Sequence, residues 1–245
     1  ATDGEVYGHH RRHGEMALAY AFDQIERLDG VELTSYGRFL ERHPATWEVQ
    51  IRPVTAWRST HGLDRWRSDC GCRAGRGEGW HQRWREPLRE AIDWLRDAVA
   101  PRFESAASPL FLDPWAARDG YVEVVLDGSA ATADRFLHRH ARRRLGPEDQ
   151  HRALELLELQ RNALLMYTSC GWFFDEIAGV ETVQVLLYCA RVLQLAEVTT
   201  GTQLEAEFLR RLAQAESNRP EYGNGRDVYE RLVRPRITRD HPVGA

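Results

Sequence analysis

The chain has 245 residues, of which 42% are hydrophobic, with eight Trp, eight Tyr and eight Phe. A chain of this length and composition can bury a substantial core, which excludes disordered and collagen-like proteins. The chain has 33 basic residues, all of them Arg, and 37 acidic residues, so the net charge is -4. Dedicated nucleic-acid and anionic-membrane binders usually carry a large positive excess, so we expect neither a nucleic-acid nor a membrane partner.

The sequence contains no apolar run of the roughly 18 residues that a membrane span needs, and its N-terminus lacks the pattern of a secretory signal. Its four Cys are too few for a disulfide framework, which favours a reducing cytoplasm as the location. Because the chain opens directly on a charged motif with no preceding element to support it, we expect it to be a piece of a longer protein.

In chain order, the first predicted element is a helix over residues 15–25, whose apolar residues recur at helical spacing and indicate packing on one face. Thr34 is the expected N-cap of a short second helix through Leu40. Residues 47–51 alternate between apolar and polar side chains, which predicts a short strand. Residues 53–79 follow neither period and predict a long structured loop, a kind of segment that often carries function.

After Trp80 the pattern is helical. The predicted helices cover about 81–106, 114–126, 130–145, 147–169, 181–198, 203–216 and 226–234, with Gly, Pro and Ser between them. The most apolar segments, 154–166 and 183–195, are the expected centre of a bundle; they contain Leu154, Leu157, Leu164, Leu165, Val183, Leu186, Leu187, Val192 and Leu193. The sequence thus predicts a mainly α fold with parts 1–79 and 80–234 and a fraying tail at 235–245.

The opening segment, residues 3–10, concentrates two carboxylates and two imidazoles in the order Asp-Gly-Glu-Val-Tyr-Gly-His-His. In an extended chain Asp3 and Glu5 project to the same side, where each perturbs the proton affinity of the other. Acid/base chemistry often exploits such a pair. A polar turn leading into the first helix is an equally good interpretation of these residues.

Residues 3–10, followed by residues 14–20, resemble the Asp-x-Glu-x-aromatic-Gly-His region of glycoside hydrolase family 57. That family contains α-amylases, branching enzymes and 4-α-glucanotransferases. The rest of the chain resembles the helical domain of unknown function that follows the catalytic barrel in some bacterial members. The segments that carry this second resemblance are 60–62, 65–72, 80–85 and 166–175.

The resemblance implies a retaining glycosidase or transglycosidase that acts on α-glucans, and residues 1–79 would be the C-terminal remnant of an incomplete (β/α)7 barrel followed by an α-helical bundle. It makes Asp3 the general acid/base and places the nucleophilic Glu upstream, in an N-terminal barrel half that becomes the expected partner. Glu5, His9 and His10 would orient Asp3 or bind the hydroxyls of an oligo- or polysaccharide. No cofactor and no metal are expected.

Aromatic side chains elsewhere offer further candidate saccharide contacts, because an indole stacks on the apolar face of a sugar ring. Trp57 and Trp66 lie in the irregular loop with His61, and core packing is the alternative for both tryptophans. Trp172 and Asp175 follow a long apolar helix, and we expect them to form a lid over the saccharide. The alternative for Trp172 is an aromatic plug between helices.

Cys70 and Cys72 have a spacing that can chelate a soft metal, although a tetrahedral zinc site needs two further ligands. Only an accident of the tertiary structure would supply them; the available donors are His61, His81, Cys170 and Cys189.

Two other functions remain open. A metal-dependent, deacetylase-like hydrolase would use Asp3, His9, His10 and His13 as ligands. A non-catalytic carbohydrate-binding or assembly module would need no acid/base residue at all.

Overall fold

The computed structural model describes Tyr7 and residues 11–53, 55–56, 61–75 and 77–237. The chain divides into two compact units, Ala1–Pro53 and Val54–Ala245. The mainly α fold is confirmed, since the described residues contain helices and only isolated β-bridges, such as Phe111 with Ala141. Most of the predicted C-terminal tail lies outside the described residues.

The first unit contains two helices, α1 (Gly14–Glu26) and α2 (Tyr36–Arg42). The N-cap of α2 is Ser35 and not the predicted Thr34, because the Ser35 hydroxyl accepts the backbone N–H of Arg38 at 3.3 Å. The apolar residues of α1 do not form the packed face that the sequence predicts, and among its described residues only Gly14 is buried.

The predicted strand at 47–51 is wrong. These residues form no ladder, and Trp47, Val49 and Ile51 are 83–90% exposed. Alternation marks a sequence that suits a half-buried sheet surface, but a strand is stable only when another strand satisfies its backbone groups.

The second unit is a helical body. Its α-helices are α3 (Arg85–Ala107), α4 (Pro114–Gly120), α5 (Val122–Leu126), α6 (Ala130–His140), α7 (Pro147–Leu165), α8 (Cys170–Phe173), α9 (Val180–Thr200), α10 (Glu205–Leu212) and α11 (Gly225–Val228). A π-helix (Tyr229–Val233) and short 3-10 helices (Asp64–Trp66 and Arg234–Arg236) complete it. Several helices begin at predictable caps: Asp113 accepts two N–H groups of the first turn of α4, and Ser129 caps α6.

The core lies where α7 and α9 pack against each other and α3 packs on both. Leu157 and Leu186 are fully buried there, which confirms the two most apolar segments as the centre of the bundle. Leu164 departs from the prediction, because it lies in the last turn of α7 and is 61% exposed. No helix in the described part of the chain combines the length and hydrophobicity needed to cross a bilayer.

The central packing gives a first prediction. Leu186→Ala removes a fully buried side chain and should lower the free energy of unfolding by about 2–5 kcal/mol, because it leaves a cavity between α9 and α7. Leu164→Ala, the matched control at an exposed site, should change it by less than about 0.5 kcal/mol. Urea denaturation followed by circular dichroism measures both. Equal losses in the two variants would contradict this assignment of the core.

A second prediction concerns His140 at the end of α6, whose ring centroid lies 4.6 Å from that of Phe136. Burial, followed by the charge of Arg139, lowers the pKa of His140. Protonation of this ring therefore favours the unfolded chain. The neutral ring makes its full contribution to the free energy of unfolding above the unfolded pKa of about 6.5, and this contribution is lost as the pH falls below that value.

His140→Phe keeps an aromatic ring beside Phe136 and removes the titration. Its urea midpoint should fall less than that of the wild type between about pH 8 and about pH 5.5. His138→Phe, at an exposed position of the same helix, serves as the control and should keep the wild-type pH dependence. If His140→Phe also kept it, His140 would not be the responsible group.

Candidate functional site

The described residues of the four segments that carry the resemblance to the helical domain lie against one another in the second unit. We call residues 61–75 and 77–82 the anchored loop, because buried groups of the helical body hold it. The Nδ1 atom of His61 lies 3.0 Å from the Sγ atom of Cys72 within this loop. Trp66 donates its indole N–H to the carbonyl oxygen of Ser169 at 3.1 Å, just before α8.

Two arginines join the anchored loop to the C-terminal end of α8. Arg65 donates to the carbonyl oxygen of Phe173 at 2.8 Å, and its guanidinium carbon lies 4.1 Å from the centroid of the Phe173 ring. Arg85, fully buried at the start of α3, donates to the carbonyl oxygens of Phe174 at 3.3 Å and Cys72 at 3.1 Å. The last carbonyls of a helix have no partner within it, and these guanidinium groups donate to two carbonyl oxygens at this end of α8.

The two arginines also affect each other electrostatically. Burial, followed by repulsion from Arg65, lowers the pKa of Arg85, while Asp175 and the sulfur atoms of Cys70 and Cys72 oppose that shift. An arginine remains charged even so. The positive charge of Arg85 therefore lies close to the two cysteines.

The carboxylate of Asp175 also holds the loop. Its side chain is 1% exposed and accepts the backbone N–H of Ala74 at 2.8 Å and the side-chain amide of Gln82 at 3.0 Å. A buried carboxylate costs several kcal/mol unless donors surround it. These donors come from the anchored loop, so the buried charge of Asp175 stabilises the loop in this position.

Asn218 closes the same network through its side-chain amide. The amide donates to the carbonyl oxygens of His81 at 2.8 Å and Asp175 at 2.9 Å, and its Oδ1 atom accepts the N–H of His81 at 2.9 Å. Glu176 in turn accepts the N–H of Asn218 at 2.9 Å and the Ser217 hydroxyl at 2.5 Å. Sequence reasoning missed Asn218, because an Asn followed by Arg-Pro looks like an ordinary turn.

His61, Cys70 and Cys72 form a group that could hold a metal ion, since their ligand atoms all lie within 4.8 Å of one another. Gly71 adopts a left-handed backbone with a φ of 76° between the two cysteines. Asp69 fixes this turn by accepting the N–H of Gly71 at 3.2 Å. Burial raises the pKa of the Cys70 thiol.

Several predicted site residues are not described by the structure: Asp3, Glu5, His9, His10 and Trp57. Their assignments stay predictions. Of the predicted saccharide contacts that are described, His61 is exposed and Trp66 is half-buried. His13, a metal ligand in the deacetylase-like alternative, is exposed and precedes α1 with a φ of 62°.

The structure corrects the expected lid of Trp172 and Asp175. Trp172 is 1% exposed, and its indole N–H donates to the carbonyl oxygen of Arg85 at 3.3 Å. Neither side chain offers a surface to a ligand, since Asp175 is equally buried. Trp172 is therefore the aromatic plug between α8 and α3, and Asp175 fixes the anchored loop.

The Asp175 network gives a third prediction. In Asp175→Asn one acceptor becomes a donor that faces other donors, which should lower the free energy of unfolding by about 1–3 kcal/mol. Trypsin should also cleave faster after Arg73, because the loop is held less firmly. Urea denaturation and mass spectrometry of a timed digest measure the two effects.

Asp64→Asn is the matched control in the same region. Asp64 pairs with exposed Arg67 at 3.0 Å, and such a surface pair contributes less than about 1 kcal/mol. Asp175→Asn and Asp64→Asn with the same stability and digestion rate would show that Asp175 does not fix the loop.

The helical half matches a known family model. The model described as Domain of unknown function (DUF3536) covers residues 80–245, which is more than half of the chain. Comparison with curated proteins and with solved structures gives no match. The match begins at Trp80, within the anchored loop, and continues through the helical body and the network of Asp175 and Asn218. The chain therefore belongs to the family described as Domain of unknown function (DUF3536).

Proposed function

We propose that this chain is the C-terminal portion of a retaining glycoside hydrolase or transglycosidase that acts on α-glucans, with Asp3 as its general acid/base. Two observations support the proposal. Residues 3–10 and 14–20 resemble the acid/base region of glycoside hydrolase family 57. The helical half belongs to the family of unknown function, and it resembles the domain that follows the catalytic barrel in some bacterial members of family 57.

The proposed chemistry needs two carboxylates. In a retaining enzyme one carboxylate attacks the anomeric carbon, while the other, about 5–5.5 Å away, protonates the leaving oxygen. Asp3 takes the second role, and it then removes a proton from the water or sugar hydroxyl that releases the glycosyl group. The nucleophilic Glu belongs to the N-terminal half of the barrel, the proposed partner, and the protein acts in the cytoplasm.

In this proposal the helical body supports one wall of the saccharide site. The observation that carries this role is the asymmetry of the anchored loop: Arg85 and Asp175 bind it from the buried side, whereas His61 remains exposed. A side chain on a loop that is held by hydrogen bonds on its buried side can bind a hydroxyl without a large loss of conformational entropy. Trp66, half-buried and hydrogen-bonded to Ser169, has the same support.

A non-catalytic carbohydrate-binding or assembly module is the second candidate. The observation that favours it is the buried position of Trp172 and Asp175, which removes two of the predicted substrate contacts. A helical domain that only binds a carbohydrate or takes part in assembly needs no reacting group of its own. The two candidates differ in whether Asp3 changes turnover.

The fourth prediction tests Asp3 in the chain extended by its upstream barrel half, with a linear α-1,4-glucan as substrate. Asp3→Asn should lower kcat by at least about 100-fold, because a general acid contributes about that much or more. The 245-residue chain alone should show no turnover, since it would lack the nucleophile. Reducing-sugar release and chromatography of transfer products measure both activities.

His13→Asn is the control, since Asn tolerates the left-handed backbone at this position and is a poor zinc ligand. It should keep wild-type turnover. Loss of activity in His13→Asn that added zinc restores would favour the deacetylase-like hydrolase. Glucan binding without turnover in the extended wild-type chain would favour the non-catalytic module.

A further inference from the structure

The anchored loop brings two thiols and an imidazole to one point. The ligand atoms of His61, Cys70 and Cys72 lie within 4.8 Å of one another, although His61 and Cys72 are 11 residues apart in sequence. Imidazole and thiolate are the donors that zinc prefers in proteins, whereas Mg²⁺ and Ca²⁺ prefer oxygen. The chemistry of these donors therefore selects a soft or borderline divalent ion.

Charge favours the same conclusion. Two thiolates so close together repel each other, and both are half-buried, so neither is well hydrated. A dication cancels both negative charges, and with a neutral imidazole the group then has no net charge.

The loop geometry holds these donors in place before an ion binds. Gly71 turns the chain between the two cysteines with a φ of 76°, and Asp69 accepts the N–H of Gly71 at 3.2 Å. Arg85 donates to the carbonyl oxygen of Cys72 at 3.1 Å, which restrains the backbone of that cysteine. Preorganised ligands lose little conformational entropy when an ion binds, which raises affinity.

We propose that His61, Cys70 and Cys72 bind one zinc ion, which links the start of the anchored loop to its middle. Three protein ligands leave a fourth coordination position, which a water molecule or another donor completes. The ion fixes the exposed His61 ring at the start of the loop. This proposal does not rest on the proposed glucan chemistry, because it is argued only from the donor atoms of His61, Cys70 and Cys72 and their distances.

The test uses the whole 245-residue chain, expressed with zinc and dialysed against metal-free buffer. We expect about one zinc ion per chain by mass spectrometry of the metal. Cobalt substitution should give a sulfur-to-metal charge-transfer band and the intense visible bands of a tetrahedral site. Cys72→Ser and His61→Ala should lose most of the bound zinc. Cys189→Ala, which alters a cysteine in the core of α9, should keep it.

A second measurement keeps the test valid if a variant folds poorly. Trypsin cleaves after Arg67 and Arg73, so one peptide of the wild-type chain, residues 68–73, carries both Cys70 and Cys72. Zinc should slow the alkylation of this peptide by iodoacetamide in the wild-type chain, and a chelator should restore the rate.

Three outcomes would overturn the proposal. One is a wild-type chain that retains only trace zinc and gives an octahedral cobalt spectrum. Another is a Cys72→Ser chain that binds as much zinc as the wild type. The third is alkylation of residues 68–73 at a rate that zinc does not change, which would identify His61 and Cys72 as a simple hydrogen-bonded pair.

Discussion

Burying the carboxylate of Asp175 obliges the chain to bring hydrogen-bond donors to it, and the arrangement of the second unit around α8 follows from that requirement. The donors are the N–H of Ala74 and the amide of Gln82, which belong to a loop without regular secondary structure of its own there. Such a loop has little intrinsic preference for one conformation, because neither a helix nor a sheet satisfies its backbone. The charge supplies a preference, since every loop conformation that withdraws a donor removes a hydrogen bond from a buried carboxylate.

The arginines Arg65 and Arg85 join the same loop to α8. Arg65 and Arg85 both donate to carbonyl oxygens at the end of α8, so α8, with only four residues, is held mainly by tertiary contacts. Trp172 lies on α8 and contacts the first turn of α3 through its indole N–H. The short helix therefore joins three parts of the molecule: the anchored loop, α3 and, through Thr182, the first turn of α9.

The helical half could be predicted from the sequence because its periodicity is a local property. Apolar residues at helical spacing identify α3, α6, α7, α9 and α10 without knowledge of their neighbours. The four-residue α8 is not among the predicted helices. The strand at 47–51 could not be judged in this way, since its stability depends on a partner that the pattern does not reveal. Thr34 and Ser35 are chemically similar, and only the backbone geometry decides that Ser35 accepts the N–H of Arg38.

The candidate site was harder to predict than the fold. Residue type and spacing identified Cys70 and Cys72 as possible ligands, but the approach of His61 to Cys72 depends on the path of the whole loop. The expected lid of Trp172 and Asp175 is wrong because composition does not distinguish a buried side chain from one that contacts a ligand. Asn218 lies 137 residues from His81, so no local pattern points to their contact.

The hydrogen bonds of Asn218 have a consequence for the chemical durability of the protein. Its side-chain amide donates to the carbonyl oxygens of both His81 and Asp175. Spontaneous hydrolysis of that amide to a carboxylate would replace the donor with a negatively charged acceptor that faces two other acceptors. The resulting repulsion would act directly on the segment that holds the anchored loop. Hydrolysis of this one side-chain amide would thus destabilise the protein far more than the same reaction at a solvent-exposed asparagine.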